Sequence, residues 1–387
     1  MKIVFDGQPL LGQKTGIAYY EDGLIRGLLE QYEENEYALD IFTFQHANEK
    51  RASVSHYSPN LKIQECSWFS GTLFRMLSLI FPVPYRFFFH EEREITHFCN
   101  YVIPFGVKGK KVVTIHDLAF REFPETIRRR TMIMLKRNLK RSIKRADAIV
   151  TDSEFTKQEI IKYYGVSPEE IYVVPCGVDT EKFYPEEDTN VISKIRGKYG
   201  IEGEYFLYLG TLEPRKNIEG LLQAYQKLLE KTGSSKREVP ALVIAGGKGW
   251  RYDSIFEKVK ELALENQVVF AGYIAEEDKT PLLSGALAFC FPSFYEGFGM
   301  PPIEAMACGT PVITSNTSSL VEVTGEAAVQ VNPYDTEELA SAMENMWRDE
   351  KVRQEFREKG FAQVKKYSWK NAVQLLYEVY RILGERK

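Results

Sequence analysis

Cysteine and histidine are scarce in this sequence, and their positions argue against the common disulfide and metal frameworks. The five cysteines are scattered and contain no Cys-x-x-Cys pair, which disfavours a disulfide scaffold and a zinc ribbon and fits a reducing compartment. The five histidines include no His-x-x-x-His pair, and no Asp-x-Asp is present to hold a metal–diphosphate complex. We therefore predict chemistry that needs neither a metal ion nor another cofactor.

A strong net charge, a secretory signal and an unbroken apolar run are also missing. The 50 basic and 54 acidic residues nearly cancel, which argues against bulk nucleic-acid binding. The chain begins with Met-Lys-Ile-Val-Phe-Asp, a core-strand pattern without the features of a signal peptide, so a cytoplasmic location is expected. The most apolar stretch, residues 68–89, is interrupted by Arg75, Pro82, Pro84 and Arg86. It is predicted to form loops and a helix with an aromatic surface and not a membrane span.

The length of the chain and its alternating pattern predict two α/β halves. A chain of 387 residues exceeds what one hydrophobic core usually supports, so two domains are expected. In both halves short apolar runs alternate with amphipathic ones, which is typical of doubly wound parallel sheets. The predicted strands are residues 2–5, 38–44, 94–98, 111–115, 148–151 and 171–174, and then 205–209, 241–245, 268–271, 286–291, 311–314 and 327–331. Turn-forming residues at 175–185 indicate the junction.

The most informative segment is residues 293–314, which combines the end of a strand, a glycine turn and the start of a helix. Gly297 and Gly299 allow the backbone to turn tightly and to approach a ligand closely. Pro301 and Pro302 suit the first turn of a helix, where their missing N–H groups have no intrahelical partner. A helix that begins behind a glycine-rich turn is a favourable anion site, so this segment predicts a diphosphate pocket.

Two carboxylates flank this turn. Glu296 precedes the glycines and Glu304 lies in the first turns of the predicted helix, so both can face one ligand. The alternative is a surface loop with two solvated glutamates, because single glutamates are usually exposed. The combination of glycines, prolines and glutamates favours a pocket for a sugar nucleotide.

Two adjacent cations, Arg215 and Lys216, follow the predicted strand 205–209 and precede a helix. Cations at a helix start oppose the helix dipole, so a bound anion explains them best. We expect both side chains to bind a diphosphate. The alternative is that they are solvated surface cations, and the sequence supports this alternative more for Arg215 than for Lys216.

Residues 293–314 resemble the retaining glycosyltransferases of GT-B fold, the group that contains glycogen synthases and many bacterial mannosyltransferases. The hallmark of that group is E-x7-E, which Glu296 and Glu304 match. The resemblance implies an α/β GT-B fold in which two Rossmann-like, doubly wound domains face each other across a cleft. It also implies that Glu304 binds the ribose and that Glu296 lies beside the transferred sugar. Amides of the turn would hold the sugar and phosphate: Gly297, Phe298, Gly299 and Met300.

The resemblance extends to other segments. The family has a Pro-Arg-Lys sequence that Arg215 and Lys216 match, although the arginine that often follows the preceding glycine is Thr211 here. His116 follows the predicted strand 111–115 and matches a histidine that the family holds beside the donor sugar, and Asp117 is expected to orient the loop and the histidine. Gly16, in the loop after the first strand, would lie nearest the donor phosphates; an ordinary tight turn is the alternative.

Domain boundaries also follow from the resemblance. The segment 175–185 is similar to the family's interdomain linker, which gives an N-terminal acceptor-binding domain at 1–178 and a C-terminal donor-binding domain at 179–367. In the family the last helix, here residues 368–387, crosses back onto the first domain.

Residues 128–145 predict a basic amphipathic helix that contains nine cations and no acidic residue. Such a helix is typical of contact with an anionic membrane surface. A solvated helix face is the alternative, because runs of charge are usually solvated.

The sequence thus predicts a metal-independent, retaining hexosyltransferase with His116, Lys216 and Glu296 as catalytic residues. Its donor would be a nucleoside diphosphate sugar, with GDP-mannose favoured, and its acceptor a glycan or lipid-linked hydroxyl in surface polysaccharide or glycolipid assembly. Glu296 as a nucleophile is one mechanism; a front-face attack, in which the departing phosphate takes the acceptor's proton, is favoured because no acid–base pair is evident. A sugar-nucleotide epimerase and a non-catalytic nucleotide-sugar binding protein are the alternatives.

Overall fold

The chain folds into two α/β units, each built on one parallel β-sheet. The structure, a computed structural model, describes residues 1–12, 15–57, 59–78, 80–127, 129–232 and 239–385. Within these residues the first unit comprises 1–122, 129–177 and 369–385, and the second comprises 123–127 and 178–368. Among the described helices, none combines the length and the hydropathy that are needed to cross a bilayer.

The first unit has a seven-stranded sheet, in the described residues, with the strand order β3-β2-β1-β4-β5-β6-β7. All neighbouring strands are parallel, and helices form most of the connections between consecutive strands, although residues 99–109 between β4 and β5 contain none. The strands are β1 (Lys2–Asp6), β2 (Glu36–Phe42), β3 (Leu61–Cys66), β4 (Ile95–Phe98), β5 (Lys110–Thr114), β6 (Ala148–Thr151) and β7 (Ile171–Val173). The helices are α1 (Gly16–Gln31), α2 (Ala47–Val54), α3 (Gly71–Ser78), α4 (Ala119–Glu122), α5 (Arg129–Arg145) and α6 (Glu154–Tyr164).

The second unit repeats the scheme with a six-stranded sheet, in the described residues, of order β10-β9-β8-β11-β12-β13. Its strands are β8 (Tyr205–Leu209), β9 (Ala241–Ala245), β10 (Val268–Gly272), β11 (Ala288–Phe291), β12 (Val312–Ser315) and β13 (Ala328–Val331). Its helices are α7 (Thr189–Lys198), α8 (Ile218–Thr232), α9 (Asp253–Glu261), α10 (Lys279–Ser284), α11 (Met300–Ala307), α12 (Leu320–Thr324), α13 (Thr336–Arg348) and α14 (Glu350–Val364). Strand β8 is buried along its whole length, as expected for a parallel sheet covered on both faces.

The last helix, α15 (Trp369–Glu385), belongs to the first unit. It packs closely on α1, because a Cβ added at Gly23 would come within 2.5 Å of the Trp369 ring and one at Gly27 within 2.5 Å of Val373. The hydroxyl of Tyr380 lies 2.6 Å from Nδ1 of the buried His97 on β4. Residues 386 and 387 of the expected helix lie outside the described residues.

The division between the units differs from the expected one in one segment. Residues 123–127 belong to the second unit, although the sequence predicts them within the first domain. The ring of Phe123 lies 6.3 Å from that of Phe294 and 5.8 Å from that of Tyr295, centroid to centroid. These aromatic contacts link residues that are distant in sequence, so no local pattern predicts them.

The predicted strands are confirmed within two residues at each end, and β3 was not predicted. Its sequence, Leu-Lys-Ile-Gln-Glu-Cys, alternates apolar and polar residues at the edge of the sheet and lacks the continuous apolar run that marks the other strands. Helix α3 and the 3-10 turn Tyr85–Phe87 confirm the prediction of loops and a helix for residues 68–89.

Candidate functional site

A cluster of opposite charges lies at the carboxyl end of the second sheet. Arg215 and Lys216 are in a 3-10 turn, Pro214–Lys216, that follows β8, and Glu296 is in the turn that follows β11. Nζ of Lys216 lies 2.6 Å from Oε1 of Glu296, and Nη1 of Arg215 lies 2.9 Å from Oε2. Because β8 and β11 are neighbouring parallel strands, their carboxyl ends bring these side chains together.

Further contacts fix the position of Arg215. Its Nη2 donates to Oε1 of Glu213 at 2.8 Å, and its Nη1 also donates to the carbonyl of Tyr295. The backbone N–H of Phe294 donates to the carbonyl of Arg215 at 2.9 Å, which ties the two turns together. The arginine is therefore shared between two carboxylates, whereas no second carboxylate lies within ion-pair distance of Lys216 in the described residues.

Electrostatics keep Glu296 ionised. Burial raises the pKa of this carboxyl group, but the charges and hydrogen bonds of Arg215 and Lys216 outweigh it and lower the pKa to about 2. Burial in turn lowers the pKa of Lys216, and the Glu296 carboxylate opposes that change. Glu296 is 7% exposed, and the side chains of Lys216 and Arg215 are 12% and 14% exposed. The three side chains are therefore largely buried, and the alternative interpretations as solvated cations and a solvated Glu296 do not apply.

Within the chain, the Glu296 carboxylate already supplies an anion beside Arg215 and Lys216. A ligand diphosphate at this place would have to share the two cations with the carboxylate. Because carboxylates of the chain already pair with both cations, the site carries no strong excess of positive charge. Diphosphate binding by Lys216 and Arg215 stays a prediction.

The glycine turn after Glu296 is held in place by Ser319. The hydroxyl of Ser319 lies 2.9 Å from the carbonyl oxygen of Glu296 and 3.0 Å from that of Phe298. Gly299 has φ of +99°, a backbone conformation that favours glycine, and α11 begins at the next residue, Met300. The main chain therefore reverses at the predicted position.

The helix start offers fewer donors than the sequence suggests. Pro301 and Pro302 occupy the second and third positions of α11 and have no N–H group, so only Met300 and Ile303 carry N–H groups among its first four residues. Anion binding here would rest mainly on the amides of the turn, from Gly297 to Met300, and less on the helix terminus.

Glu304, the second carboxylate of the E-x7-E segment, has a different environment. It lies on α11, and burial raises its pKa although Lys279 and Lys182 act in the opposite direction. Both lysines form ion pairs with Glu276, at 2.5 Å for Lys279. In the part of the chain that the structure describes, the Glu304 carboxyl makes no hydrogen bond, so its oxygens are available to a ligand hydroxyl.

In the first unit, His116 lies at the carboxyl end of β5 and is 8% exposed. Its Nδ1 lies 2.7 Å from Oδ2 of Asp152, and its Nε2 lies 2.7 Å from the carbonyl oxygen of Cys99. Burial alone would lower the pKa of His116, but the Asp152 carboxylate and the Cys99 carbonyl raise it. Both ring nitrogens therefore have a partner within the first unit, and contact with a sugar would require one of them to change partner.

Asp117 orients the loop but not the histidine. Its Oδ1 accepts hydrogen bonds from the hydroxyl of Tyr101 at 3.0 Å and from the N–H of Ala119 at 3.2 Å. The residue that orients His116 is Asp152, which follows the neighbouring strand β6. An aspartate directly after an apolar strand is the sequence signal that could have identified it.

Gly16 is the first residue of α1, and among the described residues a Cβ added there would meet no atom within 4 Å. No contact in the described part of the first unit thus requires glycine at this position, and its role near phosphates stays a prediction. Gln13 and Lys14 of the same loop lie outside the described residues. Among the described side chains, no group of three or more His, Cys, Asp or Glu could hold a metal ion.

Comparison with known proteins identifies the family. The model for glycosyl transferases group 1 matches residues 191–363, and that for glycosyltransferase family 4 matches residues 24–182. O-antigen chain mannosyltransferase B of Escherichia coli is 31% identical over 389 residues, which cover 99% of this chain and 100% of that protein. Serotype-specific mannosyltransferase WbdA of Escherichia coli is 32% identical over 235 residues, 60% of this chain and 28% of that longer protein.

Solved structures agree on the fold. Sucrose-phosphate synthase from Thermosynechococcus elongatus has a TM-score of 0.77 at 21% identity and covers 99% of both chains. Anabaena HepE in complex with UDP and glucose has a TM-score of 0.72 at 18% identity, over 99% of this chain and 100% of that one. The two Rossmann-like sheets and these similarities confirm the GT-B fold class. Together with the full-length match to a mannosyltransferase, they show that the chain belongs to the glycosyl transferases group 1 family.

Proposed function

We propose that this glycosyltransferase moves a mannosyl group from GDP-mannose to a hydroxyl of a growing surface glycan, with retention of anomeric configuration and without a metal ion. Relatives that are named as O-antigen chain mannosyltransferases support the sugar and the product class. The observation that carries the mechanism is the cluster of Arg215, Lys216 and Glu296 beside the glycine turn.

Glu296 is poorly suited to be a nucleophile. Its carboxylate is held by two cations, and its pKa is lowered to about 2, so its electron pairs are stabilised and weakly basic. We therefore favour a front-face reaction. The acceptor oxygen forms a bond to the anomeric carbon, the bond from that carbon to the diphosphate oxygen breaks on the same face, and the acceptor proton moves to the departing phosphate.

In this mechanism Lys216 and Arg215 stabilise the negative charge that grows on the departing diphosphate, and the amides from Gly297 to Met300 assist them. Glu296 positions the sugar and keeps the cations in place, and Glu304 accepts hydrogen bonds from the ribose. We further propose that Gly16 lies close to the donor phosphates and that His116 contacts the transferred sugar.

The experiment begins with a panel of GDP-, UDP- and dTDP-sugars, scored by the rise in the melting temperature of the protein. GDP-mannose should give the largest rise. Transfer to a mannoside acceptor is then followed by NMR, which reports the anomeric configuration of the product, with and without excess chelator. An inverted product, or activity lost on chelation and restored by Mg²⁺ or Mn²⁺, would overturn the mechanism. Turnover of the donor without acceptor would indicate an epimerase, and binding without turnover a non-catalytic protein.

A second part of the proposal concerns the membrane and rests on α5. Leu135 and Leu139 of this helix are buried, whereas a row of cations is exposed and forms no ion pair within the described residues: Lys136, Arg137, Lys140, Arg141 and Lys144. Arg128 of the predicted helix lies outside the described residues. Trp68, Phe81 and Phe87 of the same unit are 61%, 59% and 62% exposed. Cations and exposed aromatic rings together favour reversible contact with an anionic membrane face and a lipid-linked acceptor.

Vesicle sedimentation tests this contact. The protein should bind anionic vesicles at low salt and release them as salt rises, because the attraction is screened over about 10 Å at ~0.1 M ionic strength. A variant with Lys136, Arg137, Lys140 and Arg141 replaced by Gln should not sediment but should keep its rise in melting temperature with the donor. If the wild-type protein does not sediment with anionic vesicles at low salt, the membrane contact is contradicted and the exposed cations of α5 form a solvated helix face.

A further inference from the structure

A cavity of about 320 Å³ lies within the first unit, at the carboxyl edge of its sheet. Asp6 at the end of β1 and Phe42 at the end of β2 contribute to its floor, and α3 and α5 contribute side chains to its walls. This volume is at the lower end of the ~300–1,000 Å³ that is typical of ligand pockets. Every residue that lines the cavity belongs to the first unit, whereas Glu296 belongs to the second.

Most of the lining is apolar and continues to an exposed rim. Phe42 and Phe74 are buried at 2% and 3% exposure, whereas Ile80, Phe81 and Phe105 line the same cavity and are 72%, 59% and 45% exposed. Large apolar side chains are seldom this exposed in a group unless a partner or ligand covers them. An apolar chain could therefore enter between the rim residues and reach the aromatic interior.

Three arginines line the cavity beside these apolar groups, against one carboxylate among the described lining residues. Burial raises the pKa of that carboxyl, Asp6, to about 6, and the charge of Arg75 partly offsets the effect. Arg75 thus has a nearby acidic group, whereas Arg141 and Arg145 form no ion pair in the part of the chain that the structure describes.

The two arginines on α5 repel each other. Burial lowers the pKa of Arg145, and the neighbouring charge of Arg141 lowers it further. Nη1 of Arg145 donates a hydrogen bond to the carbonyl oxygen of Ile103 at 2.8 Å. This carbonyl is a neutral acceptor, so it positions the guanidinium group but does not neutralise its charge. An anion at this wall would relieve the repulsion and form charge-assisted hydrogen bonds.

Some polar atoms of the lining also lack a partner. Among them, Nε2 of Gln8 and Oγ of Ser78 are buried and make no hydrogen bond within the described residues, although both side chains line the cavity. Buried donors without a partner are costly, so they indicate a polar group of a ligand inside the cavity.

From this arrangement we infer that the cavity binds one molecule of a single-chain amphiphile whose phosphate is attached to an apolar chain. The chain would lie against Phe42, Phe74 and Phe81, and the phosphate would lie at Arg141 and Arg145. The volume suits one chain of moderate length. The inference concerns binding only and does not depend on the proposed transfer reaction, so it is tested without donor.

Isothermal titration of the full-length protein with decyl phosphate, below its micelle concentration, tests the inference. We expect saturable binding of one molecule per chain, with decyl maltoside and inorganic phosphate each at least tenfold weaker. Equal binding of decyl maltoside would show an apolar pocket without a phosphate site and would overturn the inference. A short-chain diacyl phosphatidic acid that binds as tightly as decyl phosphate would indicate a bilayer phospholipid and would also contradict a single-chain ligand.

Matched variants on α5 separate the cavity from general attraction of charge. Arg141→Gln should weaken binding of decyl phosphate at least tenfold, whereas Arg137→Gln, on the same helix but outside the lining, should change it less than twofold. Met134→Trp, which fills part of the cavity, should also weaken it. Unchanged melting temperatures establish that the variants fold. Equal losses in Arg141→Gln and Arg137→Gln would attribute binding to the basic surface and overturn the inference.

Discussion

Nζ of Lys216 lies 2.6 Å from Oε1 of Glu296, although 80 residues separate the two in sequence. The pair joins the turn after β8 to the turn after β11, the two segments in which the sequence predicts a diphosphate clamp and a sugar contact. One carboxylate thus organises both cations of the site, and the consequences of this arrangement can be measured.

Removal of Lys216 should affect turnover more than removal of Arg215. Lys216 has one carboxylate partner in the described residues, whereas Arg215 has two, Glu296 and Glu213. The ammonium group of Lys216 can therefore interact more strongly with the negative charge that develops on the departing diphosphate. Lys216→Ala should lower kcat by about 10²–10³-fold, the effect of one lost transition-state donor. Lys227→Ala, which breaks an exposed ion pair with Glu337, is the control and should leave kcat unchanged. Equal losses for Lys216→Ala and Arg215→Ala would contradict the assigned roles.

The two glutamates of the E-x7-E segment should separate binding from turnover. Glu304→Ala should weaken binding of free GDP by roughly 10–150-fold, because a ribose contact to a charged group contributes about 1.5–3 kcal/mol. Glu296→Ala should bind GDP almost as well as the wild type and lose turnover. Calorimetry with GDP and steady-state kinetics measure the two effects. The opposite result, with GDP affinity lost only in Glu296→Ala, would reverse the assignment.

The charge of His116 should depend on Asp152. The Asp152 carboxylate raises the pKa of His116, so the imidazole should titrate above its ordinary value of 6.5 in NMR spectra of the wild type. Asp152→Asn should lower that pKa, and the stability that the ion pair contributes below the pKa should fall. His97 provides an internal control, because burial lowers its pKa to about 3 and it should not titrate between about pH 5 and 8. An unchanged His116 titration in Asp152→Asn would disprove the coupling.

Acid should remove the stabilisation that Glu296 provides. Its pKa falls from 4.5 to about 2 on folding, so the ionised carboxylate contributes about 3 kcal/mol above pH 5. Because the folded pKa is the lower one, this contribution is lost as pH falls from about 4.5 towards 2. The difference in free energy of unfolding between wild type and Glu296→Gln, measured in urea, should shrink by roughly half of that amount at about pH 3.5. A difference that stays constant from pH 7 to pH 3.5 would contradict the lowered pKa.

Much of the fold and part of the site follow from local sequence. Strand β8 and its neighbours are continuous apolar runs, and the turn at Gly299 with the prolines of α11 is set by the conformations that these residues allow. Such features depend on residues close to each other in the chain, which is why the two parallel sheets, the start of α11 and the positions of Glu296 and Glu304 could be predicted.

Other features were decided by tertiary structure, because they join residues that only folding brings together. No local pattern shows that Glu296 neutralises Lys216 or that Phe123 packs against Phe294. An aspartate after a strand marks Asp152 as a candidate, but only the fold shows that it is the partner of His116. Strand β3 is defined by its pairing at the edge of the sheet rather than by its own apolar residues. The sequence by itself therefore determined the elements and the chemical groups at their ends, and the tertiary structure determined which groups meet and which charge each one carries, since burial and neighbouring charges exist only in the folded chain.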